Sequence, residues 1–144
     1  MEQNFKNHTR FVPGFHFVLG ILIIVGLLGA SIGIFHALNT TNLNLHNALL
    51  ILILFIAIGL LFWYSRSFAI KAQDRAIRAE ENLRYFSLTG KLLPAELRMG
   101  QIIALRFASN GEFLNLVDKA VAEKLSVKEI KMAIKNWRAD YHRV

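Results

Sequence analysis

The stretches FVLGILIIVGLLGASIGIF, residues 17–35, and ALLILILFIAIGLLFWY, residues 48–64, decide the fold of this chain. Neither contains Asp, Glu, Lys or Arg, and each approaches the roughly 20 apolar residues that a helix needs to cross a bilayer core. The linker NTTNLNLHN, residues 39–47, is also uncharged. The first run is longer than the apolar segment of about 7–15 residues in a cleaved signal peptide. The sequence therefore predicts a transmembrane helical hairpin that is retained in the mature protein.

Basic residues lie on both sides of this hairpin. The chain has 17 Lys and Arg against 10 Asp and Glu, a formal net charge of +7. Lys6 and Arg10 precede the first span, and all the other basic residues follow the second. Because Lys and Arg near membrane ends resist translocation, we expect both termini in the cytoplasm. The expected segments are a cytoplasmic N-terminal segment at 1–14, transmembrane helix 1 at 15–38, an external hinge at 39–47, transmembrane helix 2 at 48–68 and a cytoplasmic helical domain at 69–144.

The first span is rich in small residues. Four of them form small-xxx-small pairs: Gly26, Gly29, Ala30 and Gly33. Such pairs allow two helix backbones to approach closely in lipid. They predict either packing against the second span or association with another copy or a larger membrane protein.

A charged helix is expected to continue from the second span to Thr89, with Gly90 as its C-terminal stop. Along it, one seam follows the 3-4 spacing of a heptad repeat: Ala69, Ala72, Ala76, Ala79, Leu83 and Phe86. The seam covers fewer than the three to four heptads of an independent coiled coil. We therefore expect it to pack on the rest of the domain or on a second copy.

Three further helices are predicted after residue 90. Pro94 suits the first position of a helix that runs to about Ala108. The capping boxes SNGE, residues 109–112, and SVKE, residues 126–129, open the other two helices. The middle helix has the apolar face Phe113, Leu116, Val117, Ala120 and Val121. The last helix has the apolar face Val127, Ile130, Ile134, Trp137 and Tyr141. No stretch alternates as a strand does, so the expected fold class is all-α.

The sequence offers little for catalysis or metal binding. It contains no Cys, no G-x-G-x-x-G, no Walker-type glycine loop and no H-E-x-x-H motif. His16 and His36 lie about 30 Å apart along a straight helix, and His36 with His46 supplies fewer ligands than zinc usually takes. The carboxylates lie among basic residues, as solvated ion pairs do. We expect no catalytic residues, no metal and no cofactor.

Basic residues are the candidates for anionic contacts: Lys71, Arg75, Arg78, Lys131, Lys135 and Arg138. The first three closely follow the second span, where anionic lipid headgroups would lie. The last three lie among aromatic residues, as in some nucleic-acid-binding segments. Trp137 and Tyr141, however, fall on the expected apolar face, which favours a place in the core.

Four blocks of the sequence are distinctive: NHTRF (7–11), QDRAIRAEENLR (73–84), QIIALRFA (101–108) and IKNWRADY (134–141). They resemble a family of small two-span bacterial membrane proteins of unknown function. The resemblance runs over nearly the whole chain. It implies a bacterial inner-membrane protein of the Bacteroidota type, and it brings no activity, cofactor or catalytic residue with it.

These observations predict a non-enzymatic membrane scaffold or accessory subunit, whose partners are membrane lipid and a second copy or a larger membrane protein. One alternative is a membrane-tethered binder of nucleic acid or anionic lipid. A second is a subunit of a larger transporter, since two uncharged helices enclose no aqueous path alone. A third, an enzyme acting through Arg98, Arg106 or the carboxylates, lacks any recognisable constellation of groups.

Overall fold

The computed structural model of the chain describes residues 4–5, 11–40 and 44–140. The helices are a π-helical turn at Gly14–Leu19, α1 at Gly20–Asn39, α2 at Leu45–Thr89, α3 at Met99–Leu105, α4 at Asn110–Ala122 and α5 at Val127–Ala133. Within the described ranges, the only β-type pairing is an isolated antiparallel bridge between Ala108 and Trp137. The all-α class is therefore confirmed. Lys6, Arg10, Tyr141 and residues 41–43 of the predicted hinge lie outside the described residues.

Contacts within the chain divide it between Phe68 and Ala69. Phe11–Phe68 form one unit, which we call the apolar unit. Ala69–Val144 form the other, the helical domain, which also includes Asn4 and Phe5. Helix α2 contributes residues to both units, and it ends at Thr89 beside Gly90 as predicted. Gly90 has a φ of 72°, a left-handed conformation that glycine adopts without steric cost.

The helices of the apolar unit leave most of their side chains uncovered. In the most apolar window of Gly14–Asn39, 11% of the residues are buried, and in that of Leu45–Thr89, 6%. Ile23 and Ala30 are the buried side chains of α1. Both helices are long and apolar enough to cross a membrane by length and composition.

Packing inside the apolar unit divides the predicted small residues into two groups. A Cβ atom added to Gly26 would overlap the ring of Phe55, so this glycine makes room for an aromatic side chain. A Cβ on Gly33 would lie 3.9 Å from the nearest side-chain atom, which belongs to α2, and Ala30 is buried. A Cβ on Gly29, in contrast, would meet nothing within 4 Å. Gly26 thus serves packing against α2, and Gly29 does not.

The core of the helical domain is built mainly from α3, α4 and the residues that follow α3. Its fully buried large side chains are Phe107, Phe113, Ile102, Leu105, Ile130 and Val117. Four of the five apolar residues predicted on α4 are buried: Phe113, Leu116, Val117 and Ala120. From α2, Ile77 and Glu81 are buried.

Helix α3 begins later than the sequence predicts. Residues 95–96 form a turn, across which the N–H of Leu97 donates to Pro94 O at 3.2 Å. The helix starts at Met99, where the N–H of the N-cap residue Arg98 donates to Gln101 Oε1 at 2.8 Å. The prediction that Pro94 occupies the first helical position is wrong, because Gln101 supplies the cap further along the chain.

Helix α5 has the predicted start and an earlier end. Its capping box is confirmed, since Ser126 N–H donates to Glu129 Oε2 at 2.7 Å and Ser126 Oγ accepts from Glu129 N–H. The helix ends at Ala133, because Ile134 is extended with a ψ of 121°. The predicted helical face through Trp137 is therefore wrong. Trp137 instead pairs with Ala108 in the isolated bridge.

Glu112 explains part of this early end. Its carboxylate accepts hydrogen bonds from the N–H groups of Lys135 at 3.2 Å and Asn136 at 2.9 Å. A longer α5 would have bonded these N–H groups to its own carbonyl oxygens. Glu112 was expected to complete a capping box with Ser109, but the Ser109 side chain makes no capping hydrogen bond to α4. The carboxylate holds the C-terminal segment instead.

The two glycines of α1 give a matched pair of variants. Gly26→Ala should lower the thermal stability of the full chain in detergent, because the methyl group overlaps the Phe55 ring and overpacking costs about 1–3 kcal/mol. Gly29→Ala, which meets open space, should leave the stability unchanged or raise it through higher helix propensity. Equal melting temperatures for the two variants would contradict the packing of Gly26 on Phe55.

Candidate interaction site on the helical domain

A buried ion pair on α2 connects this helix to other parts of the helical domain. Arg84 Nη1 lies 3.0 Å from Glu81 Oε2, and both side chains are less than a tenth exposed. Arg84 Nη2 donates to Ala108 O at 2.8 Å, and Nε donates to Asn110 Oδ1 at 2.9 Å. The guanidinium also lies over the Phe113 ring, 4.0 Å from its centroid. Burial of these charges is tolerable because each is paired and hydrogen-bonded.

The C-terminal segment meets the same ion pair. Arg138 Nη1 lies 3.7 Å from Glu81 Oε1, although the Arg138 side chain is 57% exposed. The backbone N–H of Arg138 donates to Phe107 O at 2.7 Å, and the Trp137 ring lies 5.1 Å from the Phe107 ring. A second ion pair, Arg106 to Asp140 at 3.1 Å, follows along the segment. Residues 134–140 are thereby fastened to the domain without forming a helix.

A shallow cleft opens beside this network. Its volume is about 910 Å³, and its lining is formed by Glu80, Glu81, Leu83, Arg84, Ser87, Ser109, Asn110 and Arg138. The two acidic and two basic side chains balance in charge, and Glu81 is already engaged by both arginines. The formal charges of the cleft lining therefore sum to zero.

The predicted seam of α2 forms an exposed face beside this cleft. Ala72, Ala76 and Ala79 are exposed, Ala69 is half-buried, and Leu83 and Phe86 are 67% and 50% exposed. At 100° per residue, this face lies about 150° around the helix from the buried side chains of the same helix. Of the two partners predicted for the seam, the rest of the domain therefore does not cover it. Packing on a second copy stays a prediction.

The six predicted basic residues fall into separate groups. Lys71, Arg75 and Arg78 are exposed along one side of α2, distinct from its buried side. Lys131 Nζ lies 5.8 Å from the centroid of the Phe107 ring. Lys135 is exposed, and Arg138 lies beside Glu81. Among the described residues, none of the three α2 cations has an acidic partner within 4.0 Å.

A metal site needs several ligating side chains close together. In the described ranges, no three His, Asp or Glu side chains gather into a set that would hold a metal ion. The pKa of Glu129 is lowered by the hydrogen bonds that its carboxylate makes with Ser126, which is a helix-capping effect. Glu129 is exposed and lies outside both the ion-pair network and the cleft.

Sequence reasoning missed the Glu81–Arg84 network. The sequence does show two opposite charges at i, i+3 spacing on a predicted helix, and this spacing places both side chains on one face. That spacing also describes an ordinary surface pair. The hydrogen-bond partners that distinguish this one, Ala108 O and Asn110, lie 24 and 26 residues further along the chain.

The chain belongs to a family of unknown function, DUF6526, whose family model matches residues 1–144. This confirms the predicted membership of an uncharacterised family. Neither the curated proteins nor the solved structures gave a match to the chain.

Arg84→Met should loosen the helical domain strongly. It leaves Glu81 buried with a weaker partner and removes the hydrogen bonds to Ala108 and Asn110, a change that costs about 3 kcal/mol. Hydrogen exchange of the α3 and α4 amides in the full chain should quicken about 100-fold. The matched control is Arg78→Met, an exposed position on the same helix, which should change exchange little. Equal exchange in the two variants would show that the network does not stabilise the domain.

Proposed function

We propose that this member of the family is a non-enzymatic integral membrane scaffold or accessory subunit. In this proposal, the apolar unit is a two-span anchor, and the helical domain presents a surface to a second copy or to a larger membrane protein. The observation that carries the proposal is the uncovered apolar surface of α1 and of the first part of α2. Side chains such as Leu28, Phe35 and Leu61 are more than half exposed, which fits lipid-facing helices.

Charge supports the orientation within this proposal. Basic residues precede the first span and follow the second, and residues 39–47 between them have none. By the positive-inside rule, both termini then lie in the cytoplasm of a bacterial cell, with the linker on the outer side of the inner membrane. The helical domain would accordingly meet cytoplasmic partners or the cytoplasmic ends of membrane proteins.

The helical domain supports a role in contacts rather than in catalysis. Its buried charges, Glu81, Arg84 and Arg106, are paired with groups of the same domain. Its exposed apolar side chains include the seam residues Leu83, which lines the cleft, and Phe86. Large apolar patches rimmed by polar residues mark sites of protein association.

A second candidate function is contact with anionic lipid through the α2 stripe. Lys71, Arg75 and Arg78 are exposed on one side of the helix, and each cation near an anionic membrane surface is worth about 1 kcal/mol. The dependence of binding on salt concentration distinguishes the two functions. Binding through these cations should weaken steeply as ionic strength rises, whereas an apolar protein interface should not.

Cysteine labelling tests the membrane proposal directly, because the chain has no Cys of its own. Asn44→Cys, in the linker, should react with a membrane-impermeant maleimide in spheroplasts whose inner membrane is intact. Ser87→Cys, an exposed position on the helical domain, should react only after that membrane is lysed. Recovery of the protein in the soluble fraction would overturn the anchor, and the opposite labelling pattern would overturn the orientation.

A further inference from the structure

The exposed seam of α2 has the features of a helix-pairing face. Its apolar members are Ala72, Ala76, Ala79, Leu83 and Phe86, and we call them the alanine face. Three small side chains allow another helix to come close, and the two large ones at the C-terminal end supply apolar area. The opposite side of the helix is occupied, since Ile77 and Glu81 are buried in the helical domain. The alanine face is thus directed away from the domain that α2 supports.

The residues that flank the alanine face carry opposite charges. In the heptad register that places Ala76 at position a and Ala79 at position d, Arg75 occupies position g and Glu80 occupies position e. In a parallel pair of helices, position g of one chain lies opposite position e of the next heptad in the other chain. Arg75 would therefore face Glu80 of a second copy, twice by symmetry. Both side chains are exposed and neither has an ion-pair partner within 4.0 Å in the described structure.

An antiparallel pair would lose this complementarity. Antiparallel helices place position g opposite g and position e opposite e. Arg75 would then lie near Asn82 or another Arg75, and Glu80 near Gln73 or another Glu80. The arrangement of charges thus favours a second copy in parallel orientation.

We propose that the protein forms a parallel homodimer through the alanine face of α2, with reciprocal Arg75–Glu80 ion pairs at its edges. This inference rests on the proposed function, because two copies anchored in one membrane with the same orientation can bring their α2 helices together only in parallel. Anchoring also raises the effective concentration of the second helix, which compensates for a seam of fewer than three heptads.

Charge inversion tests the ion pairs in the full chain. Arg75→Glu places two acidic residues opposite each other in the dimer, and Glu80→Arg places two basic residues there. Each variant alone should dissociate at least tenfold more readily than the original protein in liposomes, where the anchor keeps the copies in one membrane, measured by energy transfer between fluorescently labelled copies. A mixture of the two variants restores both pairs, so it should form heterodimers at the original affinity. Arg78→Glu, with the same charge change outside the face, should dimerise normally.

Recovery of dimers in the mixture is informative because mixing would not repair a variant that had failed to fold. The proposal is overturned if the original protein is monomeric with a different companion protein. It is equally overturned if the single variants dimerise as the original does, or if their mixture stays monomeric. Dimers in the single variants would mean that the copies meet through another surface, such as the one that contains Gly29.

Cross-linking separates failure of the dimer from failure of the anchor. Ala79→Cys should form a disulfide-linked dimer in isolated membranes on mild oxidation, since the d positions of two parallel helices lie side by side. Arg78→Cys, one residue away and off the face, should cross-link at least tenfold less. Absence of the Ala79→Cys dimer in protein that still sediments with membranes would overturn the homodimer and leave the anchor standing. Protein that does not sediment with membranes would overturn the proposed function itself.

Discussion

Water is a poor solvent for the surface that the apolar unit presents. Complete burial of one Leu, Ile or Phe side chain is worth about 1.5–3 kcal/mol, and most such residues of α1 and of the first part of α2 stay uncovered. Packing of Gly26 on Phe55 joins the two helices but conceals only a small part of this surface. A bilayer would remove this deficit, because a helix satisfies its own backbone hydrogen bonds and offers lipid an apolar exterior. The proposed anchor, its orientation and the tethering of a second copy all follow from this constraint.

In the helical domain, the same helix α2 has a charged surface instead of an apolar one. Past Ala69, α2 carries many charges, and its attachment to the domain relies on Ile77 and on a buried pair, Glu81 and Arg84. Arg84 bonds to the carbonyl of Ala108 and to Asn110, so one guanidinium ties α2 to the start of α4. A charged link of this kind is specific in geometry, since both partners must be satisfied. It also leaves the far side of α2 exposed.

Local patterns predicted the helices, but a different local cap moved the start of α3, and a tertiary hydrogen bond accompanies the early end of α5. The end of α2 and the start of α5 were predicted because Gly90 and the Ser126–Glu129 capping box act within a few residues. The early end of α5 was not, because Glu112 reaches across 23 residues to the N–H of Lys135. Heptad spacing identified the alanine face, but periodicity alone does not distinguish a face that is buried within the domain from one that is exposed on its surface.

The most direct test of the proposed membrane anchor is a spin-label accessibility scan along α2 in liposomes. Labels at Leu54 and Leu61, which are more than half exposed in the structure, should collide readily with oxygen and rarely with a water-soluble nickel chelate. A label at Ser87 should show the reverse preference. If Leu54 and Leu61 were as accessible to the nickel chelate as Ser87, the apolar unit would not be embedded in lipid, and the membrane anchor would be contradicted.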